Sequence, residues 1–245
     1  MEEHLAAVTK IYSEEQIFGV FLYGSQNYGV ARETSDVDTK VIYIPTWREI
    51  AYEKPVSKEI VLPNGEHCEV KDIREMIRMF SKQNLNFLEI LFTNCAIINR
   101  PDLYGIWERG FLKNKEEIAR LDVAAGVRSM AHQALNKIYQ NRGDGKKVAT
   151  GYRLLVTITK YLAGKDYRSC FYLDEIQKEV FNSIRDGNFN EAFIDGICSL
   201  LSIYADGAYD NYESAKNRPA PNNKRSIISE MEEAALDMID RFIIK

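Results

Sequence analysis

The sequence predicts an α/β (α+β) core with a small mixed sheet, followed by an all-helical C-terminal region. Two observations point to the sheet. The runs "IFGVFLY" (Ile17–Tyr23) and "DVDTKVIYI" (Asp36–Ile44) are β-branched and aromatic, and breakers close them, Gly24-Ser25 and Pro45 respectively. A third points to the helices. Beyond about residue 112 apolar residues recur at helical spacing, with Gly164, Gly187 and "RPAPNN" (Arg218–Asn223) dividing the pattern.

Taken in order, a helix is expected near 3–16 and strands at 17–23 and 37–44. Two more strands, at 58–62 and 67–72, flank the turn signal "PNG" (Pro63–Gly65), with Glu66 and His67 as turn residues. A helix over 73–82 follows. Asp72 reads as its N-cap, because Glu75 stands three residues later in capping-box spacing. The apolar run "NFLEILFTN" (Asn86–Asn94) fits either helix or strand by periodicity; a helix is expected, with Glu89 available to face a site. The segments from "KEEIARLDVAAGVRSMAHQALNKIYQ" to "RSIISEMEEAALDMIDRFII" read as helices throughout. The expected division is a domain of residues 1–112 and a helical domain of residues 113–245.

The chemistry concentrates between the first two strands. On a strand, residues two apart share a face, so Asp36 and Asp38 project side by side with Val37 turned to the core. Carboxylates that close repel, unless a cation lies between them. Hard oxygen ligands on a rigid strand suit Mg²⁺, which takes one or two carboxylates plus substrate phosphates. A solvated strand end is the plainer reading of such a pair taken alone. Gly24 lets backbone approach a ligand, and Ser25 adds a hydroxyl and an amide where N–H groups can gather around phosphate. By itself Gly-Ser is an ordinary turn; strand, Gly-Ser, ten residues and Asp-x-Asp in a second strand is a rarer combination.

That stretch, "YGSQNYGVARETSDVDTKVIYI", resembles the signature of the DNA polymerase β-like nucleotidyltransferase superfamily. With "KQNLNFLEILFT" (Lys82–Thr93) it is similar to the RNA-ligase-associated, RNA-repair type of nucleotidyltransferase over about the first hundred residues. "GKKVATGYRLL" (Gly145–Leu155) resembles a Lys-then-Arg-Leu-Leu helix start in the same group. The resemblance implies a nucleotidyltransferase core and an EC 2.7.7-type reaction that moves NMP from an NTP such as ATP to a hydroxyl and releases pyrophosphate. It implies two Mg²⁺ or Mn²⁺ ions on Asp36, Asp38 and a third carboxylate. Glu69 is expected in that role from the apolar–acid–apolar form of Cys68-Glu69-Val70, with Asp72 as its rival. Gly24, Ser25, Lys146 and Arg153 are the expected substrate-binding residues, with Lys147 in reserve. An RNA end is the expected acceptor. Nucleotidylation (AMPylation) of a protein or small molecule, and a non-catalytic nucleotide-binding scaffold, are the alternatives.

Composition sets wider bounds. The 245 residues are 45% hydrophobic, enough for one sizeable domain or two compact ones. Four dispersed cysteines and three scattered histidines give neither a disulfide framework nor a zinc pattern. No run of eighteen apolar residues occurs and the first residues are charged, so a cytoplasmic protein without a membrane partner is expected. The net charge of −4 argues against indiscriminate nucleic-acid binding. Between Gly126 and Arg168, however, nine basic residues face two acidic ones, a local +7 that leaves −11 elsewhere. A stripe of that kind suits a triphosphate or an RNA end, or else is a solvated helix face with acidic partners. Tyr28 could stack on a base, but packing is the more ordinary role for a tyrosine near a turn.

Overall fold

The computed structural model describes residues 1–52, 54–207 and 224–243. The expected breaker at Arg218–Asn223 lies outside them. The described chain forms two compact units. One comprises Met1–Asn27, Ala31–Leu121 and Asn223–Lys245; the other comprises Tyr28–Val30 and Asp122–Asn222. The C-terminal helix Lys224–Ile243 groups with the sheet, because Gly110 lets it approach: a Cβ at that position would stand 2.2 Å from Ala234 Cβ.

The first unit holds a five-stranded mixed sheet in the order β3-β4-β2-β1-β5. Its strands are β1 (Ile17–Tyr23), β2 (Asp38–Tyr43), β3 (Ser57–Val61), β4 (His67–Asp72) and β5 (Ala96–Ile98). β1 runs antiparallel to β2 and β5, β2 runs parallel to β4, and β3 is antiparallel to β4. β1 and β2 form where β-branched and aromatic residues concentrate, and β3 and β4 flank the turn at Pro63–Gly65. β5 is too short to announce itself, and forms by pairing Ala96, Ile97 and Ile98 with the exposed edge of β1.

Register assigns the two faces. Cys68, opposite Thr39, and the pair Val41–Val70 join Val8, Ile17, Val20, Tyr43 and Leu62 in a buried cluster. The opposite face carries Lys40 paired with Glu69, and Tyr23 paired with Asp38. Helix α1 (Glu2–Thr9) contributes Val8 to the first cluster. It stops well short of the expected residue 16, and a 3₁₀ turn at Glu14–Gln16 resumes after a bend that brings the Tyr12 ring 5.1 Å from that of Tyr43. The expected helix at 73–82 spans Ile73–Ser81 and buries Ile73, Met76, Ile77 and Phe80 at spacings of three and four. "NFLEILFTN" is helical in two short pieces, Leu85–Leu88 and a 3₁₀ turn at Glu89–Leu91.

The second unit is helical: Val123–Gln140, Gly145–Leu162, Tyr167–Phe171, Glu175–Arg185 and Glu191–Ala205. Asp122, Asp144, Asp166, Asp174 and Asn190 precede these helices, and each accepts a hydrogen bond from a first-turn N–H. Orphan donors at every start are thus satisfied by a side chain the sequence places there. No described helix is long and apolar enough to cross a membrane.

Candidate active site

The site begins where β1 ends. Gly24 turns the chain with φ +84°, in the left-handed region that favours glycine, and Ser25–Tyr28 makes one helical turn behind it. A Cβ on Gly24 would lie 3.3 Å from Asp38 Oδ2, so bare backbone passes over the first residue of β2. The Gly24 N–H donates to Glu89 Oε1 at 2.8 Å, and Glu89 is fully buried. The acid in "NFLEIL" thus holds the Gly-Ser turn from beneath. Its apolar neighbours bury it, and the turn supplies the donor a buried carboxylate requires.

A second carboxylate works from the side. Glu66 Oε1 accepts the N–H of Val37 at 3.1 Å, while Oε2 lies 2.9 Å from His4 Nε2 and accepts from Asn64 Nδ2 at 2.9 Å. The other His4 ring nitrogen, Nδ1, meets Thr39 Oγ1 at 2.8 Å, with His4 and Thr39 both buried. The turn before β4 and helix α1 therefore hold the residues on either side of Asp38, Val37 by its backbone and Thr39 by its side chain. The hydrogen bond from His4 holds the Glu66 carboxyl below the usual carboxylate range, against a smaller opposing effect of burial. Sequence reasoning took Glu66 for a turn residue and His4 for a scattered histidine. Only the approach of α1 to the sheet brings the two together.

Asp36 is exposed, just ahead of β2, and Asp38 is half-buried at its start. Glu69 lies on the same face of the sheet as Asp38. Its oxygens are already engaged: Oε2 lies 2.5 Å from Lys40 Nζ and Oε1 lies 3.2 Å from Lys71 Nζ. Lys40 is almost wholly buried, its ammonium 4.0 Å from the ring centroids of both Tyr23 and Phe87. Burial pushes the Lys40 ammonium below its ordinary pKa, with the Glu69 charge opposing. Burial alone would raise Glu69, but Lys40 and Lys71 outweigh it and hold the carboxyl low. Burial and then Asp38, Glu69 and Glu89 push Tyr23 up, leaving a neutral phenol beside the site. Asp72 projects from the other face. Fully buried, it caps Arg74 N at 2.9 Å and binds the Arg74 guanidinium at 2.9 and 2.6 Å.

As a donor set for a divalent ion, Asp36 and Asp38 offer the hard oxygens that Mg²⁺ or Mn²⁺ prefers. Glu69, the expected third carboxylate, has one oxygen beside Lys40 and the other beside Lys71. Among the described residues no three His, Cys, Asp or Glu side chains gather in metal-binding proximity.

The remaining expected residues lie in the helical unit. Lys146 is exposed in the first turn of Gly145–Leu162, whose start Asp144 caps. Arg153 is buried, with its guanidinium 3.9 Å from the Tyr28 ring centroid, and Tyr28 stacks on Phe171 at 5.7 Å. Tyr28 is thus a packing residue. Arg142, in the basic stripe, is matched by Glu191 at 2.8 Å and Asp195 at 2.6 Å.

No family model matches this chain and no curated protein matches it. Among solved structures, a nucleotidyltransferase-like protein from Exiguobacterium sibiricum aligns over 98% of this chain and 90% of its own length. The two share 12% sequence identity, with a TM-score of 0.33.

Proposed function

We propose that this protein is a metal-dependent nucleotidyltransferase that transfers NMP from an NTP to a hydroxyl acceptor, an RNA end being the favoured one, and releases pyrophosphate. The observation that carries this reading is the bare turn at Gly24, held by buried Glu89 and standing 3.3 Å, by its Cβ position, from Asp38 Oδ2. The Gly24 N–H is given to Glu89, so it is the Ser25 amide and hydroxyl that the turn offers to a phosphate, beside a carboxylate able to face its counter-ion.

Asp36 and Asp38 would hold Mg²⁺ or Mn²⁺. When bound, the ion neutralises phosphate charge and supports loss of pyrophosphate from the α-phosphorus. Ser25, at the turn Gly24 makes, orients the β- and γ-phosphates. Glu89 and Glu66 keep the turn and the Asp36–Asp38 segment in place, so little reorganisation is needed as charge shifts. The acceptor oxygen forms its bond to the α-phosphorus as the bridging oxygen to the β-phosphate leaves. The work is positioning and electrostatics, with no serine or cysteine nucleophile.

A protein or small-molecule hydroxyl is the second reading. It is favoured by the acidic overall charge and by Arg142, which is matched by two carboxylates. The test is incubation with each α-labelled NTP and Mg²⁺ or Mn²⁺, with and without an RNA pool, beside the Asp36→Ala/Asp38→Ala double variant. Label on RNA that the double variant abolishes is the expected result. Label on protein selects the second reading. Absence of both transfer and metal-dependent NTP binding refutes the proposal.

A further inference from the structure

Buried lysines are rare, because an ammonium loses its hydration and must recover it from partners. Lys40 sits in the middle of β2, directly opposite Glu69 in the parallel register with β4. Its Nζ lies 2.5 Å from Glu69 Oε2 and between two aromatic faces at 4.0 Å each. Those faces supply the attraction of their π-electrons, and Glu69 supplies the counter-charge. The proposed reaction does not use this group. Yet Lys40 is two residues beyond Asp38, so the pleat turns both side chains to the same face of the sheet.

We infer that the Lys40 ammonium is a built-in second cation, which occupies Glu69 and leaves the site to take one divalent ion, at Asp36 and Asp38, instead of two. This rests on the nucleotidyltransferase reading and refines its metal requirement. A second ion at Glu69 would have to displace both lysines from its oxygens. It would then place two positive charges beside an ammonium that the rings of Tyr23 and Phe87 enclose. Lys71 adds to the repulsion: it holds the other Glu69 oxygen at 3.2 Å and stands 5.5 Å from the Phe87 centroid. The fixed charge is part of the chain, so one of the positive charges around the nucleotide does not depend on metal supply.

The test is equilibrium binding of Mn²⁺ alone to the nucleotide-free full chain, read as free Mn²⁺ by electron paramagnetic resonance. One ion per chain is expected, lost in Asp36→Asn/Asp38→Asn. Lys40→Met keeps the length and apolar packing of the stem while removing the charge, and is expected to gain a second ion that Lys40→Met/Glu69→Gln loses again. If Lys40→Met does not fold, Glu69→Gln decides alone. Its amide oxygen still accepts from Lys40, so the Mn²⁺ dissociation constant should stay within about twofold of wild type, whereas changing even a hydrogen-bonded partner of a true ligand weakens binding about 10–100-fold. Two ions on the wild-type chain, one ion on a folded Lys40→Met chain, or a tenfold weakening in Glu69→Gln would each overturn the inference while leaving the metal-dependent reading intact. No ion on the wild-type chain would also overturn the inference, and the nucleotidyltransferase reading is then decided separately by transfer from the α-labelled NTPs and by metal-dependent NTP binding.

Discussion

Replacing Glu66 with alanine tests whether the grip on the Asp36–Asp38 segment is real. The substitution removes partners from the His4 ring, the Val37 N–H and Asn64. His4 is fully buried, so its orphaned nitrogen costs about 1–3 kcal/mol. Val37 is half-buried and Asn64 is exposed, so water replaces much of what they lose. The total is about 2 kcal/mol, which for a chain of this size lowers the melting midpoint by roughly 4–8 °C. Glu66→Gln keeps an acceptor for Val37 and should lose less than half as much. Circular-dichroism melts measure the shift, and hydrogen exchange at Val37 reports the local effect, with faster exchange expected in the alanine variant. Nucleotide transfer should fall as well, since the freed amide lies between the two aspartates. A Glu66→Ala chain that melts within about 1 °C of wild type, with Val37 equally protected, would refute the reasoning.

Two other predictions follow from the same geometry. Gly24→Ala forces a side chain into φ +84° and sets its Cβ against Asp38 Oδ2. A cost of about 1–2 kcal/mol in a denaturant titration is expected, with weaker Mn²⁺ binding; unchanged binding would show that the turn does not crowd Asp38. For acid stability, Glu49 is held below its ordinary 4.5: burial alone would raise it, but hydrogen bonds from Tyr43, Thr46 and Gln16 outweigh burial. Glu66 is depressed by His4. A carboxyl depressed in the fold contributes stability that is present above its unfolded pKa and is lost as pH falls through the folded one. Stability should therefore decline below about pH 4.5, and Glu49→Gln should flatten that limb in urea titrations across pH 2–6.

The sequence by itself determined the strands β1 to β4, the helix that Asp72 caps and the helical character beyond residue 112. Each of these is decided locally, by β-branched runs, a capping side chain or a 3.6-residue period. It also brought Gly24-Ser25 and Asp36-x-Asp38 to notice, because the spacing of a strand, a turn and a second strand is written along the chain. Tertiary structure alone decided the rest. β5 exists because β1 offers an edge, and the C-terminal helix groups with the sheet because Gly110 admits Ala234. Glu66 and Glu89 hold backbone distant in sequence, so neither has a local signature. Lys40 and Glu69 meet through the parallel register of β2 on β4, 29 residues apart. Periodicity reports which face a residue occupies; pairing across strands decides which charges share it.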